Sequence, residues 1–146
     1  MNFQRLESRV CLDEGFSADP YLDTVGVATI GHGTTHIFGK PVTLSDSPVT
    51  EAEAREMMRA ELYLACMDAQ SLFGRFNEMC DVRQEILANM AYNVGKTRLS
   101  GFERMILAAE TLNYYQMAQE MKNSKWYRQV GQRSVRLYYA MLNGEW

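Results

Sequence analysis

Apolar residues along the chain recur at two different spacings. Phe3, Leu6 and Val10 are three and four positions apart, which puts them on one face of a helix that Asn2 can cap. That pattern should fail near Gly15. From Tyr21 to Ile30 the rhythm changes, with β-branched and aromatic residues flanking Thr24-Val25-Gly26 as a short hairpin would, and Asp19-Pro20 reads as a turn signal ahead of it. His36 to Val42 can add another extended piece before the loop composition of Ser45-Asp46-Ser47-Pro48.

Thr50-Glu51-Ala52-Glu53 matches a capping box, in which the Thr50 hydroxyl accepts from the Glu53 amide and the Glu53 carboxylate reaches back to Thr50. A long helix should begin there. Its apolar stripe runs Met58, Leu62, Ala65, Ala69, Leu72 and Phe73. Val82, Ile86, Leu87, Met90, Ala91 and Val94 then predict a second amphipathic helix ending at Gly95, and shorter helices follow with breaks at Ser100-Gly101, Asn113, Asn123-Ser124 and Gly131. The fold class expected is α+β in a single domain of two lobes. A small hairpin lobe occupies about 12–50, a linking helix about 51–73, and an all-helical lobe about 74–146 together with the first helix.

Composition agrees with a folded chain: 146 residues, 47% apolar and 23% charged, suit one domain with its own core. The longest apolar runs, such as 105–109, fall far short of the ~20 residues a membrane span needs, and MNFQRLESRV lacks an apolar signal core. A soluble protein made in the cytoplasm is therefore expected. Cys11, Cys66 and Cys80 show no metal spacing and are odd in number, so they read as buried thiols. The ten methionines lie mostly on the helical stripes, where core filling explains them. No phosphate-loop, dinucleotide or H-E-x-x-H pattern occurs, and neither a cofactor nor a metal is expected.

The net charge of −3 hides an asymmetry. Residues 1–95 carry 7 Lys/Arg and 14 Asp/Glu, a net of −7, whereas residues 96–146 carry 8 and 4, a net of +4. Lys122, Lys125, Arg128, Arg133 and Arg136 lie near Trp126 and Tyr127, so either a cationic, aromatic surface or an ordinary solvated helical face is expected. A nucleic-acid binder is disfavoured, because +4 over 51 residues is thin for backbone binding.

Glu14 closes the first helix and Asp23 opens the hairpin, so a reversing turn can bring two carboxyls together, with Thr29 six residues further on. Carboxyls in unlike environments cleave acetals: one protonates the leaving oxygen while the other, ionised, activates water or supports developing positive charge. Glu and Asp at this spacing are common on surfaces, and alone they decide little.

The surrounding sequence is more specific. DEGF followed by YLDTVGVATIGHG, then NMAYNVGKTRLSGF (89–102) and SKWYRQVGQR (124–133), resemble in order and spacing three blocks of the phage-type lysozymes, the endolysins of glycoside hydrolase family 24. The resemblance implies the lysozyme-like two-lobed fold, with the early turns and sheet forming one wall of a cleft and the later helices the other. It implies a muramidase that hydrolyses the β-1,4 bond between N-acetylmuramic acid and N-acetylglucosamine of bacterial peptidoglycan, with inversion. Glu14 matches the general acid, Asp23 the base or electrostatic partner, and Thr29 the residue that helps hold the water. Inversion needs carboxyls about 6.5–9.5 Å apart, against about 5–5.5 Å for a covalent route. Tyr92 and Asn93 match the glycan-contacting pair, although Tyr92 can equally pack the hinge between lobes. Lys125 matches a basic position near the glycan's peptide or carboxylate, and Arg133 an arginine that pairs with the catalytic glutamate. Trp126 reads as a packing residue rather than a sugar platform.

Two departures stand out. Where the family often has a histidine after the G-x-G of the hairpin this chain has Thr34, and its histidine, His32, falls inside the motif. Many relatives are basic overall, whereas this chain is acidic, so attraction to an anionic wall rests on the basic tail. The resemblance further implies a monomer without membrane insertion, held in the host cytoplasm until lysis and then acting in the periplasm and wall after release through a separately encoded holin-type pore. A lytic transglycosylase, which needs one acid only, and a catalytically silent peptidoglycan-binding phage module are the alternatives; the intact Glu14, Asp23 and Thr29 weigh against both.

Overall fold

The computed structural model describes all of residues 1–146, and the architecture is α+β with 62% of residues in helices. The helices are α1 (Phe3–Glu14), α2 (Glu51–Leu72), α3 (Asp81–Val94), α4 (Lys96–Ser100), α5 (Glu103–Ala109), α6 (Tyr114–Lys122), α7 (Lys125–Val130) and α8 (Gln132–Asn143). Four short strands, β1 (Ser17–Leu22), β2 (Ala28–Gly31), β3 (His36–Ile37) and β4 (Lys40–Pro41), form two antiparallel pairs, β1 with β2 and β3 with β4. The chain divides into two compact units, residues 7–63 and residues 1–6 with 64–146. No helix is long and apolar enough to cross a membrane.

In the unit of residues 7–63, α1 stops at Glu14 because Gly15 turns out of the helix at φ +70°, its amide still bonded to the Cys11 carbonyl at 3.0 Å. Asp19-Pro20, read from sequence as a turn, lies inside β1. The register is irregular between Ser17 and Tyr21, and proline, which has no N–H to give, is tolerated where a bulge interrupts the ladder. The reversal between β1 and β2 occupies residues 23–27, around the Thr24-Val25-Gly26 expected of a hairpin, where the Asp23 amide donates to the Val27 carbonyl at 2.9 Å. Gly31 ends β2 against α2: a β-carbon there would sit 2.8 Å from Cβ of Ala54, so only glycine allows the approach. The segment 36–42 forms the second hairpin, turning at Phe38-Gly39.

The capping box forms as the sequence predicts. The Thr50 amide donates to Glu53 Oε2 at 2.8 Å and the Glu53 amide to Thr50 Oγ1 at 3.2 Å, starting α2 at Glu51. Glu7 of α1 is buried, and Arg59 of α2 reaches it with two hydrogen bonds of 3.0 Å, with Arg55 3.6 Å away. This pairing satisfies a carboxylate that would otherwise be costly to bury.

In the unit of residues 1–6 and 64–146, which contains only helices, the core gathers Phe73, Leu87, Met90, Leu99, Met105, Met117, Met121 and Met141 among others. Seven of the ten methionines, Met58, Met79, Met90, Met105, Met117, Met121 and Met141, are buried as expected. α3 is not amphipathic in place: residues 84–91 are buried without a break. Its polar members have partners, since Gln84 Nε2 donates to the carbonyls of Phe76 and Met79 at 3.0 and 3.2 Å, and Arg133 Nε donates to Asn89 Oδ1 at 2.9 Å. Glu85, fully buried, accepts from Arg5 at 2.7 and 2.8 Å, from the Asn2 amide at 2.9 Å and from Trp146 Nε1 at 2.8 Å. These partners let a helix with one apolar stripe be enclosed on every side.

Cys80 departs from the reading of three buried thiols. It precedes α3 and is exposed, whereas Cys11 and Cys66 are buried. The cationic, aromatic surface is also reduced: Lys122, Lys125, Arg128 and Arg136 are exposed, but Arg133 and Trp126 point into the core at 8% and 7% exposure.

Candidate active site

Glu14, Asp23 and Thr29 all lie in the unit of residues 7–63, on the end of α1, the β1–β2 turn and β2 respectively. Glu14 is half-buried, and its carboxyl runs along the turn after β2: a β-carbon added at Gly33 would stand 3.1 Å from Oε2 and 3.6 Å from the carboxyl carbon. Gly33, at φ +84°, thus leaves the room that Glu14 occupies. The preceding residue, His32, is buried and places Nδ1 2.5 Å from the Gly15 carbonyl, while its ring lies 5.5 Å from that of Phe16. The helix end and the turn therefore meet at Glu14 and at the two residues that follow it.

Asp23 is half-buried and is held by the turn it opens. Its Oδ1 accepts the amides of Val25 and Val27 at 3.0 and 2.8 Å, which leaves Oδ2 outside the turn's hydrogen bonds. Such an Asx turn fixes the direction of the carboxylate without using its second oxygen. Thr29, 4% exposed, gives its hydroxyl proton to the Val27 carbonyl at 3.0 Å, so its oxygen keeps lone pairs with which to accept from a water. Val27 therefore connects Asp23 and Thr29 within one turn.

The remaining residues singled out from sequence lie in the other unit. Tyr92 and Asn93 are half-buried on the last turn of α3, Lys125 is exposed at the start of α7, and Arg133 is buried on α8. Asn93 is brought to the α7 segment by Trp126, whose Nε1 donates to Asn93 Oδ1 at 2.7 Å. The Trp126 ring meets Phe102 edge-on at 6.4 Å, consistent with the packing role expected of it. No set of three or more His, Cys, Asp or Glu side chains is gathered as metal ligands would be.

Sequence reasoning missed Gly33, the Gly15 contact of His32 and the Trp126–Asn93 bond. The double glycine of the G-H-G step was the available signal, since a glycine inside a turn next to an acid marks close approach by another group. Trp126 and Asn93 are 33 positions apart, and neither residue type announces the other.

Comparison with known proteins bears on the family and the fold. The family model described as phage lysozyme matches residues 12–138. Two Dictyostelium discoideum proteins, "Probable T4-type lysozyme 2" and "Probable T4-type lysozyme 1", are each 26% identical to the chain, the first covering 95% of this chain and 94% of its own length, the second 90% of each. Among solved structures, an endolysin from Escherichia coli O157:H7 phage FAHEc1 superposes with a TM-score of 0.85 at 20% identity, covering 100% of this chain and 96% of its own, a likeness of fold.

Proposed function

Because this chain belongs to the phage lysozyme family, we propose that it is a muramidase, hydrolysing the β-1,4 bond between N-acetylmuramic acid and N-acetylglucosamine of bacterial peptidoglycan. Membership of the family makes it a peptidoglycan-lytic enzyme of glycoside hydrolase type. The observation that supports the muramidase reading is the placement of Glu14, Asp23 and Thr29 on adjoining pieces of one small unit, with Asp23 and Thr29 fixed by main-chain hydrogen bonds and the Glu14 carboxyl beside Gly33.

In this reading Glu14 is the general acid. It gives its proton to the glycosidic oxygen as the bond to the anomeric carbon breaks, and a half-buried carboxyl lying against the Gly33 backbone suits that task. Asp23, through Oδ2, deprotonates or orients a water on the opposite face of the sugar, and the Thr29 oxygen accepts a hydrogen bond from that water. Attack from that face inverts the anomeric centre. Tyr92, Asn93 and Lys125 are assigned to glycan binding, the Asn93 amide nitrogen being oriented by the bond that Trp126 makes to its oxygen. Arg133 is assigned as a supporting cation for the acid. The enzyme acts as a monomer without a cofactor and reaches the wall through a separately encoded membrane pore.

The test is the clearing of outer-membrane-permeabilised bacteria by the wild type, Glu14→Gln and Asp23→Asn. Removing a positioned proton donor or base should lower the rate by about 10²–10⁴-fold, with circular dichroism unchanged. Wild-type clearing by Glu14→Gln contradicts the reading.

A further inference from the structure

We propose that His32 is a positioning residue for Glu14. Its imidazole, bonded to the carbonyl of Gly15, fixes the main chain at the end of α1 and with it the direction of the Glu14 carboxyl. The inference rests on the assignment of Glu14 as the acid.

The last carbonyls of a helix lack intrahelical donors, and Gly15 has just left α1. A main-chain carbonyl only accepts, so His32 must carry hydrogen on Nδ1 to make the 2.5 Å contact. His32 is itself 2% exposed, so losing the Gly15 carbonyl would strand its buried Nδ1–H donor. Gly15 keeps its amide on the Cys11 carbonyl, but without a β-carbon it can still turn about the bond to its own carbonyl, which belongs to the peptide joining it to Phe16, one step beyond Glu14. Rotation there would shift the chain from Phe16 onward relative to the end of α1 and so move the turn of His32 and Gly33 off the Glu14 carboxyl beside it. His32 and Gly33 are consecutive, so one turn grips the residue after Glu14 and lies along Glu14 itself. The ring of Phe16 against His32 completes the grip from the next position. Displacing an acid by about 1 Å can cost about 10²-fold in rate.

Ring shape and hydrogen bond are separable. His32→Phe keeps an aromatic ring and lacks the donor, whereas His32→Asn lacks the ring and carries an N–H at about the place of Nδ1. Rates on soluble glycan strands, taken well below both melting transitions, should show His32→Phe losing at least about tenfold in kcat with KM within about twofold, and His32→Asn recovering most of the kcat although it melts lower. Wild-type kcat in His32→Phe, a loss confined to KM, or His32→Asn as slow as a folded His32→Phe would each overturn the proposal. Should His32→Phe not fold, His32→Asn decides alone, and a kcat below about one tenth of wild type overturns it. Glu14→Gln, assayed alongside, separates this inference from its premise. An active Glu14→Gln overturns the muramidase assignment, while an inactive one beside a fully active His32→Phe overturns only the role of His32.

Discussion

Trp126 gives its indole proton to Asn93, with Nε1 2.7 Å from Oδ1, so a buried ring sets the orientation of an amide on the last turn of α3. The bond uses the oxygen of Asn93, so its NH2 group takes no part in it and keeps its donors. Trp126→Phe keeps an aromatic in the core and removes this one bond. Affinity for N-acetylated glycan fragments, measured by calorimetry, should fall about 2–10-fold, the worth of one net hydrogen bond. Unchanged affinity would detach Asn93 from glycan binding.

Glu85 gathers both ends of the chain, accepting from Arg5 and the Asn2 amide on one side and from Trp146 on the other. The bond to Glu85 holds the Arg5 guanidinium above its ordinary range. Glu85→Ala leaves these donors facing a cavity. Urea unfolding should show a loss of about 1–3 kcal/mol, the cost of leaving buried donors without an acceptor, since the Arg5 charge, 37% exposed, can turn to water. Trp146→Phe, which removes one donor and keeps the charge pair, should cost only about 1 kcal/mol.

Phe38 is fully exposed at the turn between β3 and β4 and has φ +50°, followed by Gly39 at φ +76°. Both central residues of such a hairpin turn need positive φ, which suits Asn-Gly and strains a residue branching into a large ring. Phe38→Asn should therefore stabilise the protein by roughly 1 kcal/mol. Calorimetry should find Tm raised by about 2–4 °C.

The three thiols should differ in reactivity. Cys80 is exposed, whereas burial pushes the Cys66 thiol up to about 11 and raises Cys11 as well. Thiols so shifted stay protonated and unreactive through neutral pH. A chromogenic disulfide at pH 8 should therefore titrate one thiol rapidly in the native protein and all three in denaturant.

What could be read from sequence was what neighbouring residues decide among themselves. Asn2 caps α1 by accepting the Arg5 amide at 3.0 Å, Thr50 and Glu53 form their box, and Asn113 and Ser124 cap α6 and α7 at breaks that composition marks. What could not be read depends on distant partners. The burial of Glu85 requires Arg5 and Trp146, 80 and 61 positions away, so periodicity alone misreads α3 as half-exposed. Asp19-Pro20 resembles a turn locally, and only the pairing of Ser17 with Gly31 and Tyr21 with Thr29 draws it into β1. The acids were found through resemblance, because spacing by itself does not single them out. The contacts of His32 with Gly15 and of Gly33 with Glu14 appear only once α1 and the turn after β2 are side by side.

The most direct test of the central claim is mass spectrometry of purified peptidoglycan digested with the wild type and with Glu14→Gln. Hydrolysis with Glu14 as proton donor predicts muropeptides with reducing N-acetylmuramic acid ends from the wild type and almost none from the variant. Anhydro ends from the wild type, or an equal yield of fragments from Glu14→Gln, would contradict it.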